Sequence, residues 1–150
     1  MSAFVTAGGG FLLAVLWFDL MFDVQVIGHR GSAELPEAVL GSISAYYARV
    51  TTAARPMNRL IAAVMVGTLA AIVVEIAHGI EHPWVAWVSL VLALGPIGLV
   101  GVRTVPSAVR LGSRSDSVAE QSALARAVLR QHLFCACSIA ALVVLQLAGV

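Results

Sequence analysis

Apolar residues crowd into four stretches of the chain, and most polar residues gather between them. The stretches cover residues 4–26, 58–77, 84–105 and 133–149. Each comes close to the roughly 20 residues that a helix needs to cross a hydrocarbon core. Inside lipid every backbone amide must be satisfied within the protein, so spanning segments are helices or closed barrels. The chain shows none of the repeated alternating segments, of about ten residues each, that a barrel requires. The pattern therefore predicts an all-α, four-transmembrane-helix bundle, with residues 1–150 as a single integral membrane domain.

The connections carry structure of their own. Glu34-Leu35-Pro36-Glu37 reads as a helix start with proline in the first turn, and Val39, Leu40, Ile43, Tyr47 and Val50 then recur at helical spacing. This predicts a cytoplasmic interfacial helix between the first two spans, lying on the membrane or over the bundle's mouth. Ser117-Val118-Ala119-Glu120 has the capping-box pattern. A helix from there through the fourth span covers about 30 residues, or about 45 Å, so its first turns form a cytoplasmic extension. Leu111-Gly112-Ser113-Arg114-Ser115 reads as a mobile link. In the third span, Gly95-Pro96 predicts a kink. Gly98 and Gly101, like Gly8-Gly9-Gly10 in the first span, suit close packing across small residues, with a hinge or room for a ligand as the other reading.

Composition and charge sharpen this picture. The chain is 60% hydrophobic and 11% charged, with a mean hydropathy of +0.95. So few charges cannot coat a soluble globule, which excludes a soluble fold, a disordered chain or a coiled coil. A net charge of +1 gives no basic stripe for nucleic acid. The first stretch has no basic leader and no small-residue cleavage site, and it ends in Asp19 and Asp23, so it reads as a retained anchor. All nine basic residues are arginines. Arg30, Arg49, Arg55 and Arg59 flank the first connection, and Arg103, Arg110, Arg114, Arg126 and Arg130 flank the third. The short second connection has none. The positive-inside rule then predicts an inner (plasma) membrane protein with both termini outside and the long loops in the cytoplasm. Trp84 and Trp87 suit an aromatic belt at the outer interface.

Ionisable groups at membrane depth cost about 2.5–3.5 kcal/mol on insertion scales, so each calls for a partner, water or a function. Asp19 and Asp23 lie one helical turn apart in the cytoplasmic half of the first span, on a face shared with Leu12 and Leu16. Asn58 and Arg59 open the second span, Arg103 closes the third, and His132 opens the fourth. These six residues form a candidate cluster in which Arg59 or Arg103 neutralises the aspartates. One reading is a salt-bridged knot that fixes helix register. The other is a polar pocket with Asp19 as its deepest acid and His132 as its proton-exchanging group, walled by Trp17, Phe18 and Phe22.

On the outer side stand Glu75, His78, Glu81 and His82, with Gln146 at a depth close to that of Glu75. Glu75 and His78 form one E-x-x-H pair, where a di-iron bundle uses two such pairs and two further glutamates. No cofactor is predicted. A single zinc or copper held by His78 and His82 with Glu75 is the metal alternative to plain interfacial histidines. Cys135 and Cys137 point about 200° apart on a helix, which disfavours an intrahelical disulfide and leaves packing as their role. His132 and Cys135 share a face, which leaves a soft-metal pair as an alternative there. Phosphate-binding, dinucleotide, hydrolase-elbow and zinc-protease motifs are absent from the sequence.

The chain resembles the anthrone-oxygenase-like group of small four-helix membrane proteins over nearly its whole length. The residues concerned are Gly10 in the first helix with His29 after it, the stretch Val105-Pro106-Ser107-Ala108-Val109-Arg110-Leu111, and Arg130-Gln131-His132. Arg30 and Ser107 stand where the group tends to have proline and asparagine. The resemblance implies a four-helix membrane fold and oxidation of polycyclic phenols without an obvious metal, with His29 and His132 as matched positions. The functional expectation is a lipid-embedded protein that binds or oxidises a lipophilic small molecule in a cytoplasmic-side pocket. Its competitors are an accessory subunit packed on a membrane-protein partner or a second copy, and, more weakly, an ion or proton pathway.

Overall fold

A computed structural model describes residues 2–79 and 82–149. Among them there are six α-helices and no strand: α1 (Ser2–Asp23), α2 (Glu37–Ala48), α3 (Arg55–His78), α4 (Pro83–Leu99), α5 (Val105–Ser113) and α6 (Val118–Ala148). A tighter 3₁₀ stretch, Val24–His29, prolongs α1. Four continuous helical segments are long and apolar enough to cross a membrane: Ser2–His29, Arg55–His78, Pro83–Ser113 and Val118–Ala148. The protein is a multi-pass membrane helix bundle.

The spans close into a ring, α1 against α6, α6 against α4, α4 against α3, and α3 back against α1. Small residues permit the approach where α1 meets its neighbours. A Cβ on Gly9 would come within 2.7 Å of Val143 Cγ2, and one on Gly8 would collide with the Thr68 hydroxyl.

Two apolar cores result. One lies within the ring and includes Val5, Leu12, Leu16, Ile72, Ala93, Ile139 and Leu142. The other forms beneath it, where α2 and α5 pack on the first turns of α6 through Leu40, Ile43, Tyr47, Ala108, Leu111, Ala125 and Val128. Gly112 sets that second contact: an added Cβ would sit 2.7 Å from the Ala48 amide nitrogen and 2.9 Å from its Cα.

A helix between the first two spans and the capping box form where the sequence predicts them. The Ser117 hydroxyl accepts from the Glu120 amide, and the Glu120 carboxylate accepts from the Ser117 amide. Two boundaries differ from the sequence reading. The third span does not end at residue 105 but runs on through α5, so the expected link at 111–115 shrinks. Residues 111–113 are helical, and the chain turns at Arg114 in a left-handed conformation, φ 54°. Pro96 lies within α4, and the irregularity falls one turn later, as a widened i→i+5 turn over Val100–Thr104. A second widened turn, Arg49–Ala53, follows α2. Each stands just before a proline, Pro106 and Pro56, which cannot donate to the carbonyl four residues back, and the hydrogen-bond ladder shifts register there.

Candidate functional site

The helical spacing of Asp19 and Asp23 carries both carboxylates to the side of α1 that faces α2 and α6. There the Tyr46 hydroxyl donates to Asp19 Oδ1 at 2.7 Å, and the Tyr47 hydroxyl donates to Asp23 Oδ1 at 2.7 Å. His132 Nδ1 lies 2.6 Å from Asp23 Oδ2. A carboxylate accepts, so this nitrogen carries the proton and the other ring nitrogen is left for a different partner. That Nε2 lies 3.9 Å from Asp19 Oδ2, too far for a hydrogen bond. Phe22 stacks on the Tyr46 ring with centroids 4.1 Å apart, holding it in place.

Burial first, and the neighbouring Asp19 and Asp23 carboxylates next, hold the phenols of Tyr46 and Tyr47 well above the ordinary tyrosine range. Both therefore remain protonated donors. Asp23 is sealed, at 1% exposure, whereas Asp19 and His132 line a cavity of about 520 Å³. This lies within the range of small-molecule sites, about 300–1,000 Å³.

The cavity extends from Asp19 and His132 toward Phe11 and Ile139, between walls supplied by Leu12, Leu16, Ile61, Met65, Ile97 and Val100. Phe11 stands eight residues before Asp19, so the long dimension is about 12 Å at 1.5 Å per residue. Room exists because α3 contributes no fully buried residue before Thr68. Its first half reaches the ring core only through the half-buried Ile61, Val64 and Met65, and the cavity occupies the gap beside them. Both widened turns reach the cavity, one through Val50 and Thr51, the other through Val100 and Thr104.

Of the residues singled out in the sequence, Asp19, Asp23 and His132 meet as expected, and Asn58 lines the cavity while donating to the Val50 carbonyl at 2.7 Å. The expected neutralisation by arginine is corrected. Among the described residues, the salt bridges of Asp19 and Asp23 are to His132 alone, and Arg59 and Arg103 lie exposed. The physical reason is that α2 folds back over α1 and delivers two phenols to the carboxylates. Trp17 is 67% exposed on the outward face and is not a cavity wall. Phe18 borders the cavity, and Phe22 acts through its stack on Tyr46. His29 is half-buried outside the cavity lining, and its carbonyl accepts from Arg126.

The outer group is not gathered into one site. Glu75 is buried within the bundle, while His78 and His82 are exposed and the His78 ring meets the Val74 carbonyl of its own helix. Glu81 lies outside the described residues. Among those described, no group of three or more His, Cys, Asp or Glu side chains is arranged to hold a metal ion. Gln146 donates instead to Ser89 at 2.9 Å.

The residues that sequence reasoning missed are Tyr46 and Tyr47, the only tyrosines in the chain. Tyr47 entered that reading only as one apolar position of a helical stripe. The available signal was an adjacent pair of phenols facing two carboxylates one turn apart. No family model, curated protein or solved structure matches this chain.

Proposed function

We propose that the protein lies in the plasma (inner) membrane with its termini outside and its arginine-bearing connections in the cytoplasm, and that it binds a lipophilic small molecule in the α1–α3–α6 cavity. The arginine distribution supports the orientation. The observation that carries the binding reading is the placing of Asp19 and His132 at one end of an otherwise apolar cavity: His132 is 4% exposed, its Nδ1 is committed to Asp23, and its Nε2 stands 3.9 Å from Asp19 Oδ2, too far to bond it. Two polar groups held close without bonding each other leave room for a third partner between them.

In this reading the hydrocarbon part of the ligand fills the space left by α3, and its polar end meets Asp19 and His132. Asp23 and Tyr47 hold the imidazole in one orientation, so Nε2 can take or give a proton at the ligand. The resemblance to the anthrone-oxygenase-like group would make that ligand a polycyclic phenol, with His132 as the matched position that reaches it.

The test is native mass spectrometry of protein released from mild detergent. A lipophilic adduct at up to one per chain is expected, and it should be lost from Ile61→Trp, which fills the cavity from the loosely packed half of α3. An adduct-free protein whose Ile61→Trp variant behaves identically would refute the reading and favour a structural role for the cluster.

A further inference from the structure

The charge balance of the cavity's polar end points to one class of ligand. Two carboxylates, Asp19 and Asp23, stand there against a single imidazole, and the other hydrogen-bonding partners are neutral phenols. With the His132 proton on Nδ1, where it bonds Asp23, Nε2 is an acceptor, and among the described residues no arginine stands beside Asp19. An anionic head group would add a third negative charge to the same site. A cationic head would pair with Asp19.

Geometry favours the same class. Asp19 Oδ2 and His132 Nε2 are 3.9 Å apart, too far to bond each other, and both line the cavity. One head atom carrying several protons can sit within hydrogen-bond reach, about 2.8–2.9 Å, of both at once. An ammonium group does this while a hydroxyl has only one proton to give. Tyr46 and Phe18 border the same end, and aromatic rings attract cations. The remainder of the wall is aliphatic and about 12 Å long, which suits a hydrocarbon tail.

We infer that the cavity takes a lipophilic amine in its ammonium form, with the nitrogen between Asp19 and His132 and the tail running toward Phe11 and Ile139. This deepens the binding reading above and rests on it, and it takes the place of the phenol that the family resemblance implies. The ammonium donates to the Asp19 carboxylate and to His132 Nε2, and the tail fills the gap beside α3.

The experiment uses the full chain in nanodiscs of a zwitterionic lipid, with binding to empty discs subtracted. Labelled decylamine is the probe, and decanol and decanoate are the competitors of equal chain length. Each of the three is also measured directly as a labelled ligand. Saturable binding of decylamine is expected at one per chain, with decanol at least tenfold weaker as a competitor and decanoate weaker again. Asp19→Asn should remove the preference for the amine while leaving decanol binding in place. If decanol or decanoate matches the amine in wild-type protein, the charge inference is overturned and the binding reading stands. If none of the three binds saturably, both fall. The wild-type ranking decides the matter even if Asp19→Asn fails to fold.

Discussion

Replacing Tyr47 by phenylalanine removes one oxygen and little else. In the folded protein that oxygen donates to Asp23 Oδ1 at 2.7 Å, at a position where Asp23 is 1% exposed. Water has no room to replace it, so Oδ1 is left without a donor and Asp23 keeps only His132. Hydrogen bonds to charged groups contribute about 1.5–3 kcal/mol, so a loss of about 2 kcal/mol is expected. For a chain of this size that corresponds to a fall in Tm of about 4–8 °C. Tyr46→Phe provides the internal comparison. Asp19 retains 18% of its side-chain surface, so water can take the place of the lost hydroxyl, and the loss should be about 1 kcal/mol or less. The assay is thermal melting in one detergent, followed by the fraction that remains monodisperse on gel filtration. A cycle with Asp23→Asn should be strongly sub-additive with Tyr47→Phe and nearly additive with Tyr46→Phe. Equal shifts for the two phenylalanine variants, or a larger one for Tyr46→Phe, would refute the claim that Asp23 is the sealed member of the pair.

Other outcomes follow from the same structure. Gly112→Ala should destabilise by about 1–3 kcal/mol because its Cβ would meet the Ala48 backbone, whereas Gly98→Ala, which meets nothing within 4 Å, should be neutral or stabilising in the same melt. In an alkaline titration, both phenols are held above their unfolded value of about 10, so the folded state retains protons that the unfolded state gives up. Stability should therefore be flat below about pH 10 and fall above it, with the tyrosinate absorbance rising only as the protein unfolds. A cysteine at Ser115 should react with a membrane-impermeant maleimide only after the cytoplasmic face is opened, and labelling in intact cells would reverse the proposed orientation.

The fold was legible because lipid leaves so few options. The four apolar runs, the helix start at Glu37 and the Ser117–Glu120 box each follow from local rules, and each appears where those rules put it. Pro96 was legible as a disturbance but not as a position. Where the ladder yields depends on the second proline, Pro106, and on the Leu99 carbonyl, to which Thr104 donates at 3.5 Å. The site was half legible. Depth along the spans brought Asp19, Asp23 and His132 to one level, but depth does not reveal which way an intervening helix folds back. Arginine was the chemically obvious counter-ion, and α2 overrode it by placing Tyr46 and Tyr47 first. A pocket at Asp19 and His132 was legible, but its extent was not, since that arises from how loosely α3 packs between Arg55 and Thr68.

The two apolar cores are held by different forces. Surrounding lipid is as oily as the side chains of the ring core, so that core depends on shape fit and dispersion, with little to gain from leaving water. The lower core, built on α2, α5 and the start of α6, sits among the charged connections and draws on water's aversion to hydrocarbon, which weakens on cooling. Chilling should therefore loosen the cap before the spans. Since the cap carries Tyr46 and Tyr47, a cold membrane would hold a bundle whose spans are intact and whose acidic pair has begun to lose its donors.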